Sequence, residues 1–218
     1  MSQRVFVGGA TGATGQEFVR HGCRLGVDMV VHVRPRSEDK YRAQQPEGPE
    51  PALFDLFDAE TLTEHMRGCT AVVSMIGTMA HRFSSGDTYE KSDIGTTQAL
   101  VDAAGVVGVG HFVLMSGFGA DITPGPYYSA KREAERIVRE SGLTWTITRP
   151  SFLYGNDRGS AAASAIGALG VIPGMKGFAE DWKGIPVGVV AEAMVKIATG
   201  GLHEDEIVSG RHLWALST

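Results

Sequence analysis

Only two cysteines, Cys23 and Cys69, occur in 218 residues. That leaves no disulfide framework and predicts reduced, mostly buried thiols in a cytoplasmic protein. No apolar run approaches the length that spans a bilayer, and the chain opens on a strand pattern rather than on a secretory apolar core, so neither membrane insertion nor export is expected. Positive charge is in deficit, with 20 Lys and Arg against 25 Asp and Glu, a formal net charge of −5. Without a basic footprint, binding along a nucleic-acid backbone is disfavoured as a main role, and small molecules are the expected partners. The 7 histidines form no H-x-x-x-H or H-E-x-x-H pair and neither cysteine lies at ligand spacing, so no metal site is predicted. Internal repeats and low-complexity tracts are lacking too.

What the chain does have is ample apolar content, 43%, arranged as strand-like runs alternating with helical patterns. Strands are expected at Arg4–Val7, Met29–Val33, Ala52–Phe54, Ala71–Ile76, His111–Met115 and Thr144–Thr148. Helices are expected near 14–22, 59–67, 89–105 and 127–141. This order predicts one α/β domain over residues 1–218, a doubly wound parallel sheet of Rossmann type. Three stretches read as irregular: Pro35 to Pro51, a charged surface loop; Thr78 to Asp87, placed to cover a site; and Gly155 to Gly184, a small substrate-side cap in which Phe178 and Trp182 are pocket-lining candidates. Trp145 is expected in the core, His32 and His111 at strand edges, and Ser141-Gly142 as a helix stop.

The most specific motif is Val5-Phe6-Val7-Gly8-Gly9-Ala10-Thr11-Gly12-Ala13-Thr14-Gly15, in which a β-branched strand breaks into spaced glycines and then a helix. Gly9, Gly12 and Gly15 allow a tight turn and close approach of backbone to a pyrophosphate, with Gly12 and Gly15 expected nearest to it. The N–H groups opening the helix would face the anion. The spacing is G-x-x-G-x-x-G, not the G-x-G-x-x-G of the dehydrogenase fingerprint, so context carries the match.

The end of the second strand separates the two dinucleotides. A carboxylate there accepts from the ribose hydroxyl of NAD, whereas arginine neutralises the extra phosphate of NADP. The chain reads His32-Val33-Arg34-Pro35-Arg36, which favours NADP over NAD; on its own, the arginine pair also reads as solvated loop charge. Asp55-Leu56 follows the third strand, where Asp55 either accepts from an adenine amine or is an ordinary loop acid. His81 and Arg82 similarly read as substrate contacts or as solvated loop residues.

A second constellation is Tyr127-Tyr128-Ser129-Ala130-Lys131, opening a helix after Pro124-Gly125-Pro126. Residues four apart share a helix face, and an ammonium near a phenol lowers its pKa, which suits proton exchange with an alcohol or carbonyl. Tyr128 is the alternative phenol, or else a packing tyrosine. Ser116 follows the fifth strand upstream of this pair.

In this order the parts resemble the short-chain dehydrogenases/reductases, specifically the atypical group that includes the NmrA-like NAD(P)-binding proteins. The likeness runs through Gly9 to Gly15, Val33-Arg34, Asp55, Ile76-Gly77, Gly95-Thr96, Ala103-Ala104, His111 to Ser116, Tyr127 with Lys131, and Ser141 to Pro150. It implies that Lys131 holds the nicotinamide ribose and tunes Tyr127, that Tyr127 is the acid/base, and that Ser116 polarises the substrate oxygen. Gly9, Thr11, Gly12, Ala13, Thr14, Gly15, Arg34, Arg36, Asp55, Leu56, Ile76, Gly77, Pro150, Ser151 and Phe152 would form the cofactor surface. Ile185-Pro186-Val187 before a helix at 189–199 resembles the group's late strand–helix unit, and a homodimer is consistent with it. The implied function is an NADP-dependent oxidoreductase acting on a small carbonyl or alcohol. An NADPH-dependent flavin or quinone reductase and a non-catalytic NADP sensor are the other classes this resemblance leaves open.

Overall fold

The computed structural model describes residues 3–78, 83–84, 86–155 and 183–217. Its core is a parallel sheet in the order β3-β2-β1-β4-β5-β6-β9. The strands are β1 (Arg4–Gly8), β2 (Asp28–Val33), β3 (Ala52–Leu53), β4 (Ala71–Ser74), β5 (His111–Met115), β6 (Thr144–Arg149) and β9 (Glu206–Ser209); a separate parallel pair joins β7 (Leu153–Tyr154) to β8 (Ile185–Pro186). The α-helices among the described residues are α1 (Ala13–Arg24), α2 (Glu38–Gln44), α3 (Ala59–Met66), α4 (Thr96–Val107), α5 (Pro126–Arg139), α6 (Val187–Gly200) and α7 (Gly210–Leu216). None of these helices is long and apolar enough to cross a membrane.

Central strands buried on both faces read as continuous apolar runs, and alternate residues feed two separate cores. Val5, Val7, Val31, Val73 and Val113 pack against Phe18 and Val19 of α1 and Val190, Met194 and Ile197 of α6. Phe6, Val72, Phe112, Leu114 and Ile147 face the other way, onto Leu62 and Met66 of α3, Leu100 of α4 and Val138 of α5. The chain runs outward from β1 through β2 to β3, then returns to β4 on the other side of β1. The order therefore reverses beside β1, and in such sheets the crevice beyond the carboxyl ends at this reversal receives ligands.

Pro35 to Pro51 differs from the expected loop. It forms a 3-10 turn at Pro35–Ser37 and then α2, pinned by the buried ring of Tyr41, whose hydroxyl donates to the Pro49 carbonyl at 2.8 Å. One buried aromatic supplies the anchor that the polar composition hides. The thiols also split: Cys69 is buried and Cys23 exposed. Trp145 is half-buried against the core of the α3–α5 face. The short strand β9 and helix α7 have no counterpart in the sequence reading, since a four-residue, mostly exposed edge strand carries little periodic signal.

Helix α5 is tied to β6 by a buried ion pair. Arg149 donates through Nε to Glu135 Oε1 at 2.9 Å and through Nη2 to Oε2 at 2.7 Å, with Asp121 also on the guanidinium at 3.1 Å. Glu135 is fully buried. Removing one member leaves a buried charge without its partner, so Glu135→Ala should lose about 3 kcal/mol of unfolding free energy in urea, whereas Glu135→Leu combined with Arg149→Met should lose much less.

His111 is the first residue of β5 and His32 the last but one of β2, and both are buried. His111 Nε2 meets Thr146 Oγ1 at 2.8 Å. His32 is wedged edge-on against Phe54, its Nε2 is 2.9 Å from the Phe54 carbonyl, and burial above all pushes its pKa down to about 4. Below the usual histidine pKa the unfolded chain takes up a proton that the folded ring refuses. The His32 contribution to stability is thus complete above pH 6.5 and lost as pH falls towards 4. Chemical denaturation at pH 7.5 and pH 5 should reveal a loss of about 2 kcal/mol from this group, and His32→Gln should flatten the slope.

Candidate functional site

The strand-to-helix turn after β1 is held by backbone contacts that admit no side chain at two of its glycines. Gly9 has φ +92°, and a Cβ there would lie 2.7 Å from the Met75 carbonyl carbon. A Cβ on Gly15 would lie 2.1 Å from the Gly9 oxygen, so α1 starts directly against the turn. Gly12 differs: it is exposed at the N-cap of α1, its N–H donates to the Gly9 carbonyl at 3.0 Å, and no side chain caps the helix. Gly9 and Gly15 are thus held against backbone, and Gly12 is the open position, flanked by half-buried Thr11 and Ala13, with Thr14 buried behind.

Beyond the turn lies a cavity of about 450 Å³ at the carboxyl ends of β1, β2 and β4. Gly9, Thr11, Gly12, Arg34, Arg36, Asp55, Leu56, Ile76 and Gly77 all line it, as do Asp87 and Lys91. Helix N-terminal N–H groups without a side-chain cap at one wall and two guanidiniums at another fit an elongated anion such as a dinucleotide in size and charge.

At the end of β2 the arginines do not stand alone. Arg34 Nη1 and Arg36 Nη2 both reach Asp87 Oδ1, at 3.0 and 3.1 Å. A carboxylate absent from the local sequence is thereby brought to the end of β2 by the fold. At the end of β3, Asp55 Oδ1 accepts from the Phe57 N–H at 3.1 Å, which shapes the turn into α3, while Leu56 is buried and Phe57 stays exposed with Lys91 Nζ 5.6 Å from its ring centroid.

The second half of the site is built on α5. Gly125 at φ +113° and Pro126 at the first helical position start the helix, and Arg132 fastens the preceding loop by donating to the carbonyls of Ala120 at 2.7 Å and Thr123 at 2.9 Å. Tyr127 and Lys131 share one face, with Nζ 5.8 Å from the Tyr127 ring centroid. The Tyr127 hydroxyl sits 3.5 Å from where a Cβ on Gly117 would be, beside the end of β5. Tyr128 is half-buried against Tyr127, ring centroids 5.0 Å apart. Ser116 donates its backbone N–H to the Thr148 carbonyl at 2.8 Å, and its buried Oγ has no partner among the described residues.

Lys131 is paired with a residue that the sequence reading did not include. Its Nζ lies 2.8 Å from Asp93 Oδ1, both groups are buried, and Asp93 Oδ2 accepts from the Thr78 N–H at 3.0 Å. Gly77 makes room for the pair, because a Cβ there would lie 2.9 Å from Nζ. Asp93 belongs to a π-helical turn, Glu90–Gly95, that leads into α4 and whose Ser92 and Asp93 carbonyls accept from the Thr96 and Thr97 hydroxyls, each at 2.7 Å. A wide turn of this kind has no sequence periodicity to announce it, and such turns recur at functional sites. Burial opposes the Lys131 charge, but Asp93 and Tyr127 outweigh it and hold the ammonium above its usual pKa. Tyr127 goes the opposite way from expectation: burial raises its pKa, and the lowering by Lys131 does not overcome it.

Of the remaining predicted residues, Pro150 is buried and its carbonyl accepts from the Phe118 N–H at 3.0 Å. The Ser151 hydroxyl is taken by the Lys183 carbonyl, and Phe152 is exposed. His81, Arg82, Phe178, Trp182 and the predicted cap, apart from Gly155, Lys183 and Gly184, lie outside the described residues.

The chain is 30% identical over 173 residues to the uncharacterized sugar epimerase YhfK of Bacillus subtilis, covering 74% of this chain and 77% of that protein. It is 29% identical over 157 residues to an NAD(P)H azoreductase of Xenophilus azovorans, 70% of this chain but only 49% of that one. The fold superposes with TM-score 0.69 on the NADPH-dependent quinone oxidoreductase QOR2 of Escherichia coli, at 19% identity over 94% of this chain and 68% of the other. A family described as NAD(P)H-binding matches residues 9–199, a span that starts at the glycine turn and takes in the cavity, the Tyr127–Lys131 face and α6, and the chain belongs to that family.

Proposed function

We propose that the protein is an NADPH-preferring reductase that transfers hydride to a small carbonyl compound, with Tyr127 donating the proton to the developing alkoxide. The observation that carries this reading is the position of Tyr127: a half-buried phenol beside Gly117, just past the end of β5, on the same helix face as Lys131. The dinucleotide, when bound, supplies the hydride. Gly9, Gly12 and the start of α1 would hold its pyrophosphate, Arg34 and Arg36 its adenosine end, and Ile76, Gly77 and Lys131 its nicotinamide end. In this arrangement the unpartnered Ser116 Oγ is a donor for the substrate oxygen, which orients the carbonyl and stabilises charge on it.

Burial keeps the Tyr127 phenol protonated at neutral pH, the form that donates a proton to a carbonyl being reduced. Lys131 cannot serve as a free cation in this account, because Asp93 already balances it. Its part is to hold a donor beneath Gly77, which lines the cavity.

The same pairing supports a second reading, reduction of a quinone or flavin, since a hydride acceptor of that kind needs no phenol to protonate it in the same step. The two readings separate on one variant. Under the carbonyl reading, Tyr127→Phe lowers turnover of aldehydes or ketones on the order of 100-fold while NADPH affinity stays near the wild-type value. Steady-state NADPH oxidation over a panel of aldehydes, ketones and quinones, with cofactor binding measured in parallel, checks this. Unchanged carbonyl turnover removes Tyr127 as the acid, and turnover confined to quinones replaces the first reading by the second.

A further inference from the structure

Asp87 reaches the arginine pair from 51 and 53 residues away in sequence. Several arginine ion pairs among the described residues are local ones at helical spacing, such as Arg20 with Glu17 and Arg136 with Glu140. The Asp87 contact is of another kind: its side chain is only 6% exposed, while Arg34 and Arg36 are 38% and 57% exposed and line the cavity. A single carboxylate oxygen accepts from both guanidiniums, which is how a phosphate oxygen would engage them.

We propose that Asp87 is a built-in competitor for the phosphate on the adenosine ribose, and so sets how far the cavity prefers a 2′-phosphorylated nucleotide over a plain one. This rests on the reading of the cavity as a dinucleotide site. Two guanidiniums and one carboxylate leave a net charge of +1 where Arg34 and Arg36 alone would present +2. A phosphate arriving there meets a carboxylate only a few ångströms away, in a partly enclosed space where water and salt screen poorly. Each guanidinium has five N–H donors, so Asp87 does not block the phosphate outright; it occupies two donors and adds repulsion. With an unphosphorylated ribose the same carboxylate is an acceptor for the hydroxyls, the part an acid at the end of β2 plays in NAD-binding sheets. The chain therefore carries both devices, two arginines on either side of Pro35 and an acid delivered by the fold, and it uses both cofactors with a ratio that Asp87 controls.

The test uses nucleotide fragments that lack nicotinamide, so that it reads binding apart from turnover. Calorimetric titration of wild type, Asp87→Asn and Arg34→Ala/Arg36→Ala with adenosine 2′,5′-bisphosphate and with adenosine 5′-diphosphate gives the ratio of affinities. Asp87→Asn keeps size and one acceptor oxygen; it should tighten the 2′-phosphorylated fragment about tenfold or more and leave the plain fragment unchanged or weaker. Asp87→Ser, which removes the same charge with less bulk, should give the same shift and stands in if the asparagine variant misfolds. On the Arg34→Ala/Arg36→Ala background either change should shift the ratio by less than in wild type, because the repulsion is still relieved but no guanidinium donor is freed. An unchanged ratio, or weaker binding of the 2′-phosphorylated fragment by a folded Asp87 variant, overturns the inference while leaving the cofactor site intact. If wild type binds neither fragment, the dinucleotide reading itself fails and the inference with it.

Discussion

The contact between the Gly9 carbonyl and the Cα of Gly15 fixes where everything else in the site lies. With no room for a methyl group between them, α1 begins as close to the end of β1 as two backbones can come. The N-cap of that helix, exposed Gly12, then borders the crevice. Gly9 is pressed in turn against Met75, just past the end of β4, so the two strands that flank the reversal in sheet order are locked through main chain. Side chains have no part in this frame, which leaves Gly12 uncovered and the helix end free of side-chain caps.

Two buried ion pairs then set α5 against that frame. Arg149 with Glu135 joins the helix to β6, and Lys131 with Asp93 joins it to the π-helical turn ahead of α4. Burying such pairs costs desolvation energy that their mutual attraction roughly offsets, so their net contribution to stability is small. Their effect is positional. Each pair penalises any sliding of α5 that would leave a charge without its partner, and Tyr127, one turn before Lys131, is held at the end of β5 as a result.

The sheet and most of its helices are legible in the sequence because their residues are buried on both faces and so carry uninterrupted β-branched runs. The strand His111–Met115 has the bounds that its pattern predicts, and the others differ by a residue or two. The glycine turn, Arg34, Arg36, Tyr127 and Lys131 are legible because each is a residue type at a spacing with a physical reason. Asp87 and Asp93 are not. Each is an acid in a polar stretch with no periodicity, and each acquires its partner from a remote segment. Tyr127 shows the same limit from the electrostatic side. Spacing reveals the lysine that lowers a phenol's pKa, but only the packed structure reveals the burial that raises it further and the aspartate that takes the lysine's charge.

The two halves of the cavity thus have different origins. On the proposed placement the phosphate end would rest on main chain at a helix terminus, whereas the adenosine and nicotinamide ends would depend on ion pairs made across the fold. The phosphate end is the central element, and Gly12 is its exposed position, with a φ of −78° that any residue adopts. A fluorescence titration of NADPH against wild type and Gly12→Val tests it most directly. The account predicts saturable binding by wild type and its loss in a Gly12→Val protein that remains folded by circular dichroism; equal binding by the two would contradict the placement of the dinucleotide on this turn.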